Sequence, residues 1–394
     1  MAYEALLAHN LPFDLIRSED IRAGKLQGYT LLFVPGGWAS NKMKSLGDEG
    51  VEAIKQFIHN GGNYLGFCGG AGLATFDGIG LLPIKRKPTR ERVPSFSGKI
   101  KLNLSAHPLW QGIAEPVFYA WWPSQFAIDS SINVLATYAQ AMPDAFSSDL
   151  NVADVESTRS WQELEKIYGI NLDPKRLIND PAVVEGSYGK GKVLLSLIHF
   201  DTPDDANGAT VLKNLWSYLA GHVSIEGDFR TSVFPHFRAD GASKLISEME
   251  ASIDELIVLG TRNFLWFWRT PLLLQWRRGI RGLEYCTLFI LIKRISGLLK
   301  YNNTVHSSLI TDHASRIEKL FMPFVGTTKK LLILERQALQ NGHITYEKCD
   351  DPEIQKIRTE LFANSKSYGG LFKKLIDEID SLLYVLLAAD SKHF

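Results

Sequence analysis

Residues 66–70 read Gly66-Phe67-Cys68-Gly69-Gly70 and place a cysteine at a predicted strand–turn–helix junction. The preceding residues 61–65 are typical of a helix end followed by a short buried strand, and residues 71–74 are typical of a first helical turn. In this context G-x-C-x-G is the cysteine version of the nucleophile elbow, whose glycines relieve a strained turn. The start of the following helix favours a thiolate. A small buried cysteine in a glycine-rich turn explains the same residues equally well.

A second segment supplies the partners that a cysteine nucleophile needs. The turn at residues 189–191 leads into the apolar run 193–198, which ends in His199-Phe200-Asp201. Residues two apart on a strand point to one face, so we expect His199 and Asp201 to project together. A thiol needs a base, and the base needs an orienting group, which predicts a triad of Cys68, His199 and Asp201. The alternative is that His199 caps the strand and Asp201 begins a turn.

These segments, with the turn at Val34-Pro35-Gly36-Gly37, resemble the class I glutamine amidotransferase-like superfamily. Within it, residues 1–222 resemble the biotin–protein ligase amino-terminal-domain-like group. The segments that carry the resemblance are LLFVPGGW (31–38), NYLGFCGGAG (63–72), HPLWQGI (107–113) and YGKGKVLLS (188–196).

The resemblance implies a fold and a set of roles. It implies a flavodoxin-like parallel sheet with helices on both faces. Cys68 is then the nucleophile, His199 the base and Asp201 the acid that orients it. The amides of Gly36, Gly37 and Gly69 are the implied oxyanion-hole donors.

Three departures limit the resemblance. Glutamine-hydrolysing members carry glutamine or glutamate where this chain has Gly72, so we do not expect glutaminase activity. Asp201 stands where the family usually has glutamate, but aspartate also orients a histidine. Members of the fold open with a strand, whereas residues 1–7 here are typical of the first helix and lead to a predicted strand at Phe13–Ile16. The first strand is therefore absent or lies upstream.

Aromatic and basic segments surround the predicted pocket. In the family resemblance Tyr119 and Trp122 fall near the pocket rim, and Trp38 follows the glycine turn, so we name all three as pocket candidates. Aromatic residues in such numbers are also ordinary core material. The basic run at residues 83–92 is either a loop that recruits an anionic substrate or a solvated loop.

Length indicates two domains, and composition argues against nucleic-acid binding, a disulfide framework and a zinc site. The chain of 394 residues exceeds one domain, and 43 Lys+Arg against 43 Asp+Glu give no charge that favours nucleic acid. Three distant cysteines, Cys68, Cys286 and Cys349, argue against a disulfide framework or a zinc site. No signal pattern opens the chain, so we expect a cytoplasmic protein without metal or cofactor.

The predicted second domain is α-helical. We expect an amidotransferase-like domain over residues 1–222, a linker over 223–240 and a bundle of five or six helices over 241–394. The helical spacing is clearest at residues 243–259, 305–321, 329–341, 352–363 and 371–388.

Residues 262–300 combine aromatic residues with arginines. This pattern suits a membrane surface or a protein partner, and a plain buried bundle helix explains it equally well. No stretch approaches the roughly 20 uncharged apolar residues of a membrane span.

Two functions from different classes remain open at this point. The first is a cysteine-dependent amidase, hydrolase or amidotransferase-like enzyme acting on an unknown small-molecule or peptide amide. The second is a binding or regulatory module that retains the fold and uses its helical domain as the contact surface. No ligase catalytic domain is visible after residue 222, and the sequence does not determine the oligomeric state.

Overall fold

A computed structural model describes residues 1–128, 132–221, 240–301, 307–342, 344–345, 349–363 and 368–390. The chain divides into two compact units, Met1–Glu226 and Gly227–Phe394. The predicted linker at 223–240 lies outside the described residues except for its last position. Among the helices that are described, none is long and apolar enough to cross a membrane.

The first unit is built on a mixed sheet. Its described strands run β1 (Leu31–Val34), β2 (Asn63–Phe67), β3 (Lys85–Arg86), β4 (Phe96–Leu104), β5 (Val117–Trp121), β6 (Phe126–Ala127), β7 (Asn133–Ala141), β8 (Phe146–Ser147), β9 (Leu150–Asn151), β10 (Pro181–Tyr188) and β11 (Gly191–Ser196). The order is β1-β2-β11-β10-β7-β4-β8-β9, with β5 beside β4, while β3 and β6 form a separate ribbon.

The predicted α/β class is confirmed, but the sheet is parallel in only one part. Strands β1, β2 and β11 are parallel, whereas β10 pairs antiparallel with both β11 and β7. The cause lies in the connection at Gly189, which has φ 59° and joins β10 to β11 by a tight turn. A connection this short permits only antiparallel pairing.

Helices flank this sheet. They are α1 (Ala2–Ala8), α2 (Ser18–Arg22), α3 (Ala39–His59), α4 (Gly69–Leu73), α5 (Val152–Thr158), α6 (Trp161–Tyr168) and α7 (Ala206–Ala220). Helix α3 kinks at Gly47, where φ is 61°. The strand predicted at Phe13–Ile16 is wrong, because this segment packs through side chains and belongs to neither a strand nor a helix. The Phe13 ring lies 5.4 Å from the Tyr3 ring, edge to face.

The second unit is a helical bundle with one β-hairpin. Its described elements are α8 (Asp240–Arg262), β12 (Trp266–Thr270), β13 (Leu273–Trp276), α9 (Gly282–Tyr301), α10 (Ser307–Asn341), α11 (Pro352–Phe362) and α12 (Gly370–Asp390). The helical region is confirmed. For residues 262–300, where a buried bundle helix was one interpretation, the structure has helix α9 from Gly282 onward but a hairpin at β12 and β13, because aromatic residues also favour strands.

Helix α10 joins two segments that the sequence separates. The helices predicted at 305–321 and 329–341 are one helix with Pro323 inside it, and the predicted start at residue 305 lies outside the described residues. Phe321, Phe324 and Val325 are all buried next to the proline. Their burial offsets the roughly 3 kcal/mol that an interior proline costs.

Candidate active site

Cys68 occupies a strained turn between β2 and α4. Its backbone has φ 46° and ψ −102°, a conformation that non-glycine residues rarely adopt. The Cys68 amide donates to the Ser196 carbonyl at 2.8 Å, and the Gly72 amide donates to the Cys68 carbonyl at 2.8 Å. The turn therefore has the geometry of the predicted elbow. Helix α4 has only five residues, so its dipole contributes little and the electrostatics at the sulfur depend on neighbouring side chains.

The elbow lies directly against the glycine turn that follows β1. A Cβ atom at Gly69 would lie 1.7 Å from the Gly37 carbonyl oxygen, and one at Gly70 would lie 1.8 Å from the Val34 oxygen. No side chain fits at either position, because the two backbones are already in contact. The structure thus brings Gly36, Gly37 and Gly69 together beside Cys68.

His199 and Asp201 form a buried pair. His199 Nδ1 lies 3.0 Å from Asp201 Oδ1, and the two side chains are 7% and 3% exposed. Strand β11 ends at Ser196, so both residues lie in the loop beyond it and strand alternation was the wrong reason for expecting the pair. A backbone hydrogen bond holds the loop instead, since the His199 amide donates to the Tyr119 carbonyl at 2.9 Å.

The pair is charged. Burial by itself would lower the pKa of His199, but the charge and hydrogen bond of Asp201, followed by those of Cys68, raise that pKa to about 10. Burial would raise the pKa of Asp201, and the charge and hydrogen bond of His199 lower it instead. At neutral pH the pair is therefore imidazolium and carboxylate.

The side chains of His199 and Cys68 meet at the glycine turn. A Cβ atom at Gly36 would lie 2.9 Å from His199 Cε1, 3.7 Å from His199 Nε2 and 3.8 Å from Cys68 Cβ. The Nε2 edge of the histidine and the side chain of Cys68 thus face one point, while Nδ1 faces Asp201. This is the arrangement in which an oriented histidine exchanges a proton with a thiol.

Strand β5 contributes a residue that the sequence did not identify. The Cys68 sulfur lies 3.9 Å from the Trp121 carbonyl oxygen, and Trp121 Nε1 donates to Thr202 Oγ1 at 3.0 Å. Thr202 in turn donates to the His199 carbonyl at 2.8 Å. The alternation of β5 could have indicated Trp121, because Tyr119 and Trp121 share a strand face and their rings stack at 5.1 Å.

The predicted pocket aromatics differ in their surroundings. Tyr119 is half-buried and its carbonyl holds His199, so it contacts the candidate site through its backbone. Trp122 is half-buried, with φ 50° and its ring 6.3 Å from the Trp121 ring. Trp38 is 37% exposed where the glycine turn meets α3.

Lys42 is a second residue that the sequence did not identify. Its Nζ atom lies 3.7 Å from the position that a Cβ atom would take at Gly37. A helical turn separates Lys42 from Trp38, and its amide donates to the Trp38 carbonyl at 3.2 Å. The sequence feature that could have identified Lys42 is its place one helical turn after the glycine-containing loop. The ammonium group brings a positive charge to the implied oxyanion donors.

The basic run at residues 83–92 contains both exposed side chains and one that is held in an ion pair. Lys85 and Arg86 are exposed on β3. Lys87 forms an ion pair with Asp180 at 2.6 Å.

Across the described parts of the chain, no group of three or more His, Cys, Asp or Glu side chains is placed to hold a metal ion.

Part of the first unit also matches a known family. Residues 15–77 match the biotin-protein ligase, N-terminal family. The matched residues include the glycine turn and the elbow with Cys68, so the resemblance expected from the sequence is confirmed there. His199 and Asp201 lie outside the matched residues. The matched residues all lie in the first unit.

Solved structures share low similarity with the chain. A putative GMP synthase subunit from Thermoplasma acidophilum is 13% identical, with TM-score 0.35, over 55% of this chain and 86% of its own. Two cytoplasmic proteins of Salmonella typhimurium are 15% and 14% identical, with TM-scores 0.34 and 0.37, over 56% of this chain and 85% and 88% of their own. These values are too low to transfer an activity. No curated protein sequence matches the chain.

Proposed function

We propose that the first unit is a cysteine-dependent amidase, hydrolase or amidotransferase-like acyl-transfer enzyme. Cys68 is the nucleophile, His199 the acid–base group and Asp201 the group that orients it. The observation that carries the proposal is the meeting of the His199 Nε2 edge and the Cys68 side chain at Gly36, at 3.7 and 3.8 Å from one point. The strained backbone of Cys68 supports it, because such strain persists mainly at functional turns.

The first chemical step forms a covalent intermediate. The raised pKa of His199 makes it an imidazolium at neutral pH, and its positive charge attracts the negative charge of a Cys68 thiolate. The sulfur attacks the amide carbon, a C–S bond forms, and the carbonyl π electrons move to oxygen. The amides of Gly36, Gly37 and Gly69 donate hydrogen bonds to this oxyanion.

The second step releases two products. His199 gives its proton to the leaving nitrogen, the C–N bond breaks, and an amine departs from a Cys68 thioester. Water, or an amine acceptor in the transfer reaction, then attacks the thioester while His199 accepts its proton. The C–S bond breaks, and the thiolate and imidazolium are restored. Hydrolysis of one amide gives one carboxylic acid and one amine.

The proposed substrate is a small-molecule or peptide amide other than glutamine. Gly72 is buried, and a Cβ atom there would lie 3.8 Å from Ala39 Cβ. The position thus offers a neighbouring methyl group and no polar side chain to bind a glutamine. We therefore exclude glutaminase activity from the proposal.

The second candidate function is a binding or regulatory module that keeps the fold without turnover. Gly72 favours it, because the residue that reads the substrate in glutamine-hydrolysing relatives is missing. In this case the helical unit supplies the main interaction surface. The two candidates differ in the reactivity they predict for Cys68.

Iodoacetamide labelling across pH separates the candidates, with each cysteine followed by peptide mass spectrometry. For an enzyme we expect rapid labelling of Cys68 at neutral pH, slowed about 100-fold in His199→Ala. The other cysteines are internal controls. Cys349 is half-buried, while burial raises the pKa of Cys286 to about 11 and keeps it unreactive. Labelling of Cys68 at the rate of Cys349, unchanged by His199→Ala, would contradict the enzyme and favour the binding module.

A further inference from the structure

Three large aromatic side chains lie exposed on one hairpin of the second unit. We call residues 264–276 the aromatic hairpin, which comprises β12, β13 and the two residues before them. Phe264 is 76% exposed, Phe267 50% and Trp268 37%. The Trp268 ring is partly covered, since it lies 5.1 Å from the Phe289 ring, so Phe264 and Phe267 have the most exposed rings of the hairpin. Exposed large apolar side chains commonly mark an interaction site.

Both the backbone conformation and the exposure of Phe264 are unfavourable for the stability of the fold. Phe264 has φ 57° at the second residue after the end of α8, a position that glycine or asparagine usually takes. Its amide donates to the Thr261 carbonyl at 3.1 Å, and the Leu265 amide donates to Gly260 at 2.9 Å, which fixes this conformation. A strained backbone and an exposed ring both oppose folding. Residues that break local rules without a gain in packing are candidates for function.

The hairpin is firmly attached to the bundle beneath it. Trp266 is 3% exposed, and its Nε1 donates to the Ile257 carbonyl at 3.0 Å. Its ring packs on Gly260, where a Cβ atom would lie 2.0 Å from the ring. The Trp276 side chain packs in the same way on Gly282, where a Cβ atom would lie 2.4 Å from the Trp276 ring. The exposed aromatic residues are therefore presented by an ordered support.

The hairpin segment itself is basic. Residues 262–278 contain four arginines and no aspartate or glutamate. Arg262 precedes the hairpin and Arg277 follows it, and both are exposed near its open end, where the Arg277 amide donates to the Leu265 carbonyl at 2.8 Å. Exposed aromatic rings flanked by arginine match the boundary between anionic lipid headgroups and acyl chains.

We propose that the aromatic hairpin docks this protein on an anionic lipid surface. Phe264 and Phe267 enter the boundary between headgroups and acyl chains. Arg262 and Arg277 contact lipid phosphates. Attachment of this kind is peripheral and needs no spanning helix. The proposal does not depend on the chemistry at Cys68.

Vesicle co-sedimentation of the full chain tests the proposal. The probes are vesicles of phosphatidylcholine alone and of phosphatidylcholine mixed with phosphatidylserine. We expect binding to the mixed vesicles that weakens as salt rises. Phe264→Ser/Phe267→Ser should weaken that binding by about tenfold or more, because two exposed rings are lost. Arg262→Gln/Arg277→Gln should weaken it by about tenfold or more and remove most of its salt dependence.

Phe76→Ser is the matched control, since Phe76 is 62% exposed in the first unit and its substitution should leave binding unchanged. Equal binding to neutral and anionic vesicles would overturn the proposal, as would binding that neither double variant changes. A shift from dimer to monomer in the aromatic variant, without vesicle binding by the unsubstituted chain, would identify a second copy as the occupant and also overturn it.

Discussion

Each unit buries an ion pair. Burial opposes the charged forms in both pairs, but the charge of the partner outweighs burial only in the first unit. In the first unit His199 and Asp201 favour their charged forms, with the pKa of His199 raised and that of Asp201 lowered. In the second unit Arg358 and Glu335 lie 2.7 Å apart with side chains 3% and 1% exposed. Burial nevertheless raises the pKa of Glu335 to about 7, against the opposing charge and hydrogen bond of Arg358.

The hydrogen-bond partners explain this contrast. Arg358 also donates to the backbone carbonyls of Gly279, at 2.8 Å, and Thr345, so it joins separate segments of the helical unit. Among the residues that the structure describes, Glu335 Oε2 has no hydrogen-bond partner. His199, by contrast, faces Cys68 on the side opposite Asp201. A buried ion pair alone therefore does not indicate a candidate active site, whereas one next to a cysteine with a strained backbone does.

The largest expected effect is on the second pair. Arg358→Met should lower the free energy of unfolding of the second unit by about 3–5 kcal/mol, because Glu335 is left buried without its cation. Hydrogen exchange of α10 and α11 in urea measures this loss. Cys68 labelling should not change. Lys330→Met is the matched control, because its pair with Glu353 is exposed and contributes at most about 1 kcal/mol. Equal effects of both variants would contradict a structural role for Arg358.

The free energy of unfolding that each pair contributes should change with pH, and the two changes should differ by on the order of 2 kcal/mol. The pKa of His199 is raised from 6.5 to about 10, so its stabilisation is complete below pH 6.5 and is lost as pH rises through 10. The pKa of Glu335 is raised from 4.5 to about 7, so stability falls as pH rises from 4.5 through 7.

Thermal unfolding of His199→Gln and Glu335→Gln across pH separates these windows. His199→Gln should flatten the alkaline part of the stability profile, and Glu335→Gln should flatten the part between pH 4.5 and 7. Profiles that keep the slopes of the unsubstituted protein would show that neither pair titrates as described.

A smaller effect is expected from crowding the candidate site. Gly36→Ala places a Cβ atom 2.9 Å from His199 Cε1 and should displace the ring, slowing iodoacetamide labelling of Cys68 by about tenfold. Gly326→Ala is the control, because no atom of the described residues beyond its own chain neighbours and helix backbone lies within 4 Å of its Cβ position, and labelling should not change. Unchanged labelling in Gly36→Ala would indicate that the position of His199 does not control the thiol.

The smallest expected effect concerns Lys42. Its ammonium group should attract an anionic reagent, so Lys42→Gln should lower the ratio of iodoacetate to iodoacetamide labelling of Cys68 about threefold at low salt. Lys44 is exposed on the same helix, and Lys44→Gln should leave the ratio unchanged. A ratio that falls equally in both variants would reflect general charge and not the position of Lys42.

The elbow was predictable because its chemistry is local. Glycines around Cys68 indicate a strained turn wherever the chain places it, and the turn at Gly36 follows a strand for the same local reason. The pair of His199 and Asp201 was expected for the wrong reason, because a loop and not a strand holds it. The aromatic hairpin was missed since its continuous apolar run fits a helix or a strand equally well.

The sequence by itself determined the α/β first part, the helical second part and the candidate nucleophile, because periodicity and glycine placement act over short distances. Only the tertiary structure decided that the His199 ring and Cys68 meet at Gly36, that Trp121 and Lys42 join them, and that Phe264 faces outward. These contacts join residues from separate strands, loops and helices. Their distances follow from packing, which no local pattern in the chain encodes.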